Sequence, residues 1–296
     1  MNRAQAQRMY EDVSFLTQLR PFRNYENLES LAAVVNYLKE ELRLLNQGFF
    51  EQKWMAEGNE YTNLIHSYQP NKTKRLIMGA HYDVCGVQPG ADDNGSAVAG
   101  LIETIRLLNE NNLELDYGID FVFYCLEEPP FFGTEEMGSY VHAKSVSKNK
   151  ENIIGMICYE MIGYFSDKKG SQGFPHPALK LLYPSTANFI MTVGVPEYKS
   201  FNKMIHDGMK KGSEIKVCHF AHSLGRSLAG MSDQRNYWKF DIPALMINDT
   251  SFERNPNYHK MSDDIETLDF DKMSQVIDSM MRCLTRIEIP TAKNLR

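Results

Sequence analysis

The 296-residue sequence lacks several things whose absence narrows what it can be. No stretch approaches the roughly 20 apolar residues in a row that a bilayer-spanning helix needs, so no membrane partner is expected. The opening MNRAQAQRMYEDVSFLTQLRPF has no long apolar core of the kind a secretory signal carries. Nothing in it directs export, which points to the cytoplasm. No CxxC pair occurs, and the five cysteines are odd in number and widely spaced; they read as free thiols in a reducing compartment. A surplus of positive charge is missing too. The formal net charge is -6, which supplies none of the electrostatic pull that nucleic acid or an anionic membrane would require. Neither GxSxG nor GxGxxG nor GxxxxGK appears, leaving serine-nucleophile, dinucleotide and P-loop chemistry without a starting feature.

What is present is an α/β alternation. Helical spacing of apolar residues over 5–20 and 27–46 predicts two packing helices. GFFEQKWMAEGNEYTNLIHSY reads as two strands joined by a tight turn at Glu57-Gly58-Asn59. Apolar strand runs follow in KRLIMGAH, YGIDFVFYC, IIGMICYEMI, NFIMTVGV, EIKVCHF and IPALMIND, with helices expected over 97–108, 135–147, 199–211 and 269–287 and a helical turn at 234–240. This pattern predicts a three-layer α/β/α sandwich with a mainly parallel, mixed central sheet. The simplest parse is a single domain over 1–296, with packing helices in 1–46 and rim loops at 163–188 and 219–232.

Three of these strands run straight into groups that are costly to bury. His81 and Asp83 follow LIMGA, Glu127 and Glu128 follow FVFYCL, and Glu160 ends IIGMICYE; a fourth strand leads within some ten residues to NYHKMSD, which contains His259. Functional loops in open α/β sheets gather beyond the carboxyl ends of the strands, and like charges converging there would repel unless a cation neutralised them. Two imidazoles with at least three carboxylates and no thiolate pattern suit zinc, manganese or cobalt. A pair of ions needs a bridging carboxylate, which the loop PGADDNGS is able to supply.

The ordered set GAHYD, PGADDNGSAVAG, EEPPFFGTEEMGS, SD at 232–233 and YHKMSDD resembles the zinc-dependent aminopeptidases of family M28 from about residue 60 onward. The resemblance implies a zinc-exopeptidase-like fold and two divalent ions, zinc above all, held by His81, Asp92, Glu128, Glu160 and His259. Asp92 is the implied bridge, with a cis Asp92-Asp93 bond, and Glu160 stands where the family often has aspartate. Asp83 is the implied orienter of His81, and Glu127 the implied general base. Glu135-Glu136 repeats the spelling of the Glu127-Glu128 pair but sits at an expected helix start, where acidic residues are favoured. Where the family frequently has histidine after the SD pair this chain has Gln234, which leaves Asp233 as a supporting residue only. His66, His142, His176, His206, His219 and His222 read as surface or core residues, and Phe131, Phe132 and Tyr164 as a lining for an apolar side chain. The implied activity is removal of N-terminal residues from peptides with a free amino terminus. A one-zinc glutaminyl cyclase and a non-catalytic metal-binding protein of the same fold remain alternatives, and oligomeric state is outside what the residues say.

Overall fold

In the computed structural model, residues 1–221 and 226–289 are described. Two helices lead the chain, α1 (Ala6–Gln18) and α2 (Leu28–Leu44), followed by the hairpin of β1 (Phe50–Ala56) and β2 (Asn59–Tyr68). Its two-residue turn puts both Glu57 and Gly58 at positive φ, the conformation whose twist matches paired strands. Then come β3 (Arg75–His81), α3 (Ala97–Glu110), β4 (Gly118–Tyr124), α4 (Gly138–Val146), β5 (Ile153–Glu160), β6 (Phe189–Gly194), α5 (Lys199–Lys210) and β7 (Lys216–Ala221). The short helices α6 (Arg226–Ala229) and α7 (Gln234–Trp238), β8 (Ala244–Asn248) and α8 (Phe270–Leu284) complete the chain. Each expected strand and helix is found, with ends moved by a few residues; α4 starts three residues later than the spacing predicted, leaving Glu135 and Glu136 in the turn before it.

The eight strands form one sheet in the order β1-β2-β4-β3-β5-β8-β6-β7. The four in the middle, β4, β3, β5 and β8, all run parallel; β1 pairs antiparallel with β2, β2 with β4 and β6 with β8, and β7 runs parallel to β6. Alternation decides which layer each side chain enters. Leu76, Met78 and Ala80 of β3 pack with α1, α2, α3 and α8 on one face, and Ile77 packs with Met156, Ala143 and Tyr237 on the other. At Gly79 a Cβ would collide with the ring of Tyr124, so glycine there lets β3 and β4 bring their ends level. Among the described residues no helix is long and apolar enough to cross a membrane. The consequence for function is positional: four adjacent parallel strands deliver their carboxyl ends to one edge.

Candidate metal centre

At that edge the backbone leaves the strands abruptly. Leu126, just before Glu127, and Met161, just after Glu160, both have positive φ, an uncommon state for bulky residues that turns the preceding or following carboxylate inward. His81 ends β3 and is 1% exposed; its Nε2 lies 3.5 Å from Asp93 Oδ1, 3.3 Å from Glu160 Oε2 and 3.8 Å from Glu127 Oε2. His259, also at positive φ, brings its Nε2 to 3.1 Å from Asp93 Oδ2 and 3.4 Å from Glu128 Oε2. The Asp93 carboxylate therefore stands between the two imidazoles, one oxygen toward each.

Asp92, the expected bridge, does not join them. Its Oδ1 accepts from Gly163 N at 3.0 Å and Ser96 Oγ at 3.2 Å, and its Oδ2 from Asn255 Nδ2 at 2.7 Å. The tight turn of residues 91–96 sends consecutive side chains apart, so Asp92 faces Gly163 and Asn255 in the loops after β5 and β8 and Asp93 faces the two imidazoles. The cis peptide lies one residue later than expected as well, at Asp93-Asn94. The other members arrive where the sequence put them: His81, Glu127, Glu128, Glu160 and His259 converge.

Two buried aspartates fix the backbone beneath this group. Asp83 accepts from the amides of Glu127 and Glu128 through separate oxygens, at 3.2 and 3.1 Å, and its Oδ1 is 3.5 Å from His81 Nδ1. That ring nitrogen is nearer still to the Asp83 carbonyl, 3.2 Å. Asp263 does for the 91–96 turn what Asp83 does for the glutamates, taking the amides of Asp92 and Asp93 at 3.0 and 3.1 Å. Sequence reasoning passed over Asp263, although it belongs to the same YHKMSDD segment as His259.

A second residue missed is Arg23. It is fully buried and donates to the carbonyls of Tyr82, Pro89 and Gly90. Burial lowers its pKa to about 10 against the pull of Asp263, Asp93 and Asp83. The N-terminal segment thus holds the loop after β3 as well as packing on it. Cys85 is the third: its sulfur, with donor atoms of Glu128 and His259, falls within a 4.8 Å cluster.

Electrostatically the group is unbalanced. Burial, reinforced by Glu128 and Glu160, pushes Glu127 well above the carboxylate range. Burial and the charge of Asp93 push Glu128 up to about 8, and burial raises Glu160 too. Burial raises the Asp93 carboxyl as it does the others, but hydrogen bonds to His259 and His81 prevail and hold it low. Burial disfavours charge on His259, yet Asp93 and Glu128 lift it to about 10. Glu128 Oε1 is buried without a hydrogen-bond partner. Nitrogen and oxygen donors amid surplus negative charge fit a divalent cation. The described residues include one donor group of His81, Asp93 and Glu160 and another of His81, Glu127 and Glu128.

The remaining histidines lie outside the group. His66 meets Gly48 O, His142 meets Tyr237, His176 caps its own turn, and His206 and His219 lie side by side near Thr192. His222, with part of the 219–232 loop, lies outside the described residues. Of the expected pocket aromatics, Phe131 is in the core against Tyr25 and Tyr61, and Phe132 stacks under Arg235. The cavity beside Glu160 is walled by other segments, among them β6, β7 and β8 and the loops that flank them.

Residues 63–284 match the sequence profile of Peptidase family M28. The chain belongs to that family. YfbL of Escherichia coli K12 is 35% identical over 291 residues, covering 95% of this chain and 88% of that protein. Among solved structures, the Legionella pneumophila LapA aminopeptidase superposes with a TM-score of 0.73 at 18% identity, over 96% of this chain and 73% of that one. The Bacteroides thetaiotaomicron glutaminyl cyclase gives 0.72 at 19%, over 97% and 99%. Aminopeptidase and cyclase share this M28 fold, so the likeness alone does not choose between their reactions. Membership of a zinc-dependent peptidase family makes peptides the substrate class, and the groups of buried imidazoles and carboxylates described above are ones that could hold a metal ion.

Proposed function

We propose that the chain is an aminopeptidase that hydrolyses the first peptide bond of substrates with a free amino terminus, using two divalent ions, zinc first among the candidates. The observation that carries this reading is the Asp93 carboxylate reaching toward both imidazoles, 3.5 Å from His81 and 3.1 Å from His259. His81, Asp93 and Glu160 would hold one ion and Asp93, Glu128 and His259 the other, with Asp93 in the bridging place first expected of Asp92. Bound there, the ions supply Lewis acidity toward the scissile carbonyl and lower the pKa of water.

The protein's own part is positioning and proton transfer. Glu127 is the general base: its carboxylate faces the cluster, and its amide is tied to Asp83, which leaves the side chain little freedom. It takes the proton of the attacking water and returns it to the departing amine. Asp83 orients the His81 ring, a support that metal-bound imidazoles commonly need. Surplus carboxylates around the site attract the substrate's cationic α-amine.

The test pairs metal content with a blocked substrate. Protein prepared without chelator should contain two ions per chain and cleave a free peptide but not its N-acetylated twin. Glu127→Gln should keep both ions while kcat falls by roughly 10²- to 10⁴-fold. One ion per chain together with cyclisation of N-terminal glutamine would replace this reading with the cyclase.

A further inference from the structure

Beside the metal centre is a cavity of about 120 Å³ that shares Glu160 with it and is walled also by Tyr258, whose ring stacks on that of His259. Its body is apolar, built by Phe174, Leu179, Tyr183, Met191, Phe220 and Met246. The polar side chains in its wall are nearly all spoken for. Gln172 donates to Gly173 O and Thr250 Oγ1 and accepts from Arg254 Nε. Asn248 donates to Glu160 O and Ser251 Oγ and accepts from Thr250 N.

Glu253 is different. It lines the same cavity, half-buried, and its carboxylate makes no hydrogen bond or ion pair with any described residue. Its backbone is fixed: Gly173 N donates to Glu253 O at 2.8 Å, and a side chain at Gly173 would collide with that carbonyl. The neighbouring Arg254 does not answer the charge. Its guanidinium is turned inward to Gln172 and Phe189 O and lies 4.6 Å above the Phe189 ring. Burial raises the Glu253 carboxyl, and among the described residues no cation acts on it.

Resting on the aminopeptidase reading, we propose that this cavity receives the side chain of the substrate's N-terminal residue and that Glu253 makes it select a cationic one, arginine or lysine, over neutral residues of equal length. A long basic side chain has the matching division of character: an apolar stem for the aromatic and methionine wall, and a charged head for the carboxylate. Phe174 and Tyr183, stacked with centroids 6.4 Å apart, add faces on which a guanidinium can lie. A neutral residue filling the same space would strip water from Glu253 and give nothing back.

Citrulline is the decisive comparison because it keeps arginine's length and shape and loses the charge, an oxygen standing in place of one terminal nitrogen. The metal-loaded protein should hydrolyse the arginine amide of a fluorogenic coumarin with kcat/KM about tenfold or more above the citrulline amide. In Glu253→Gln that ratio should fall to within about twofold, through loss on arginine and not gain on citrulline. A ratio near one in the unaltered protein, or one that survives Glu253→Gln, overturns the proposal. Equilibrium binding of free L-arginine and L-citrulline, read by calorimetry, separates this from the reaction itself. If no amide is hydrolysed, the aminopeptidase reading fails; arginine binding that is favoured over citrulline and lost in Glu253→Gln still upholds the pocket, and equal binding removes it.

Discussion

Two regions of this molecule bury carboxylates in number, and they treat them in opposite ways. Between α1, α2 and α3, Asp12 and Glu103 are wholly buried, with Glu41 beside them. Arg106 meets Asp12 with both nitrogens, at 2.6 and 2.9 Å, and Glu41 at 2.6 Å, while Arg8 meets Glu103 at 2.5 Å. A planar guanidinium satisfies two oxygens at once and stays charged at any ordinary pH. At the sheet edge, Asp93, Glu127, Glu128 and Glu160 are buried too, but among the described residues the ion-pair partners they meet are two imidazoles, His81 and His259, and the guanidinium of Arg23 is spent on backbone carbonyls. Acidity and burial are common to both places. What separates a structural ion cluster from a site is whether the protein itself answers the charge, and at the edge it does not.

The comparison breaks most visibly at Arg106. Replacing it with methionine leaves Asp12 and Glu41 buried without their partner, and stability measured by urea unfolding should drop by about 3 to 5 kcal/mol. Metal content should be untouched. An Arg106→Met protein as stable as the parent would mean that the helix-layer cluster is no better compensated than the edge.

How much of this was legible beforehand follows the same division. The strands and helices could be read because apolar alternation and helical spacing are local, and the carboxylates could be assigned to one edge because each directly follows a strand. Asp92 and Asp93 could not be told apart, since in an Asp-Asp pair the backbone turn alone decides which side chain faces the strands. Asp263 and Arg23 act through backbone groups far away in sequence, Asp92 and Asp93 in one case and Tyr82, Pro89 and Gly90 in the other. Such contacts leave no periodic trace. The cavity wall was misassigned to Phe131, Phe132 and Tyr164 because these are near the acidic motifs in sequence; the aromatic residues that line it are Phe189 of β6, Phe220 of β7 and, from the segments between elements, Phe174, Tyr183, Phe252 and Tyr258.

A third buried polar region sharpens the contrast by carrying no ionic charge. His142, fully buried, shares a 2.6 Å hydrogen bond with Tyr237 OH, which in turn meets Tyr124 OH at 2.6 Å. Burial lowers the His142 pKa from 6.5 to about 4, against a weak pull from Asp120. The unfolded chain takes up this proton below pH 6.5 and the folded protein only near pH 4. The contribution of His142 is therefore complete above pH 6.5 and is lost as pH falls toward 4, up to about 3 kcal/mol. Urea unfolding of the parent and of His142→Asn at pH 7 and pH 4.5 should show a smaller acid loss in the variant; equal losses would remove His142 as the cause.

The smallest effect has the most telling sign. Burial raises the Glu160 carboxyl, and with Asp93 and Glu127 close by its charge is a burden to the metal-free protein. Glu160→Gln keeps the size of the side chain and removes that charge, so the chelator-treated variant should be more stable than the chelator-treated parent by ~1 kcal/mol. With metal present the order should reverse, because the parent gains binding energy that the amide cannot supply. The same substitution in the helix layer, Glu103→Gln, has no such reversal to offer: Arg8 loses a charged partner whether or not metal is added. Thermal unfolding of the three proteins, parent, Glu160→Gln and Glu103→Gln, with and without zinc reads both signs directly. If Glu160→Gln destabilises the metal-free protein as Glu103→Gln does, the edge is a compensated cluster like the other, and the distinction between the two regions fails.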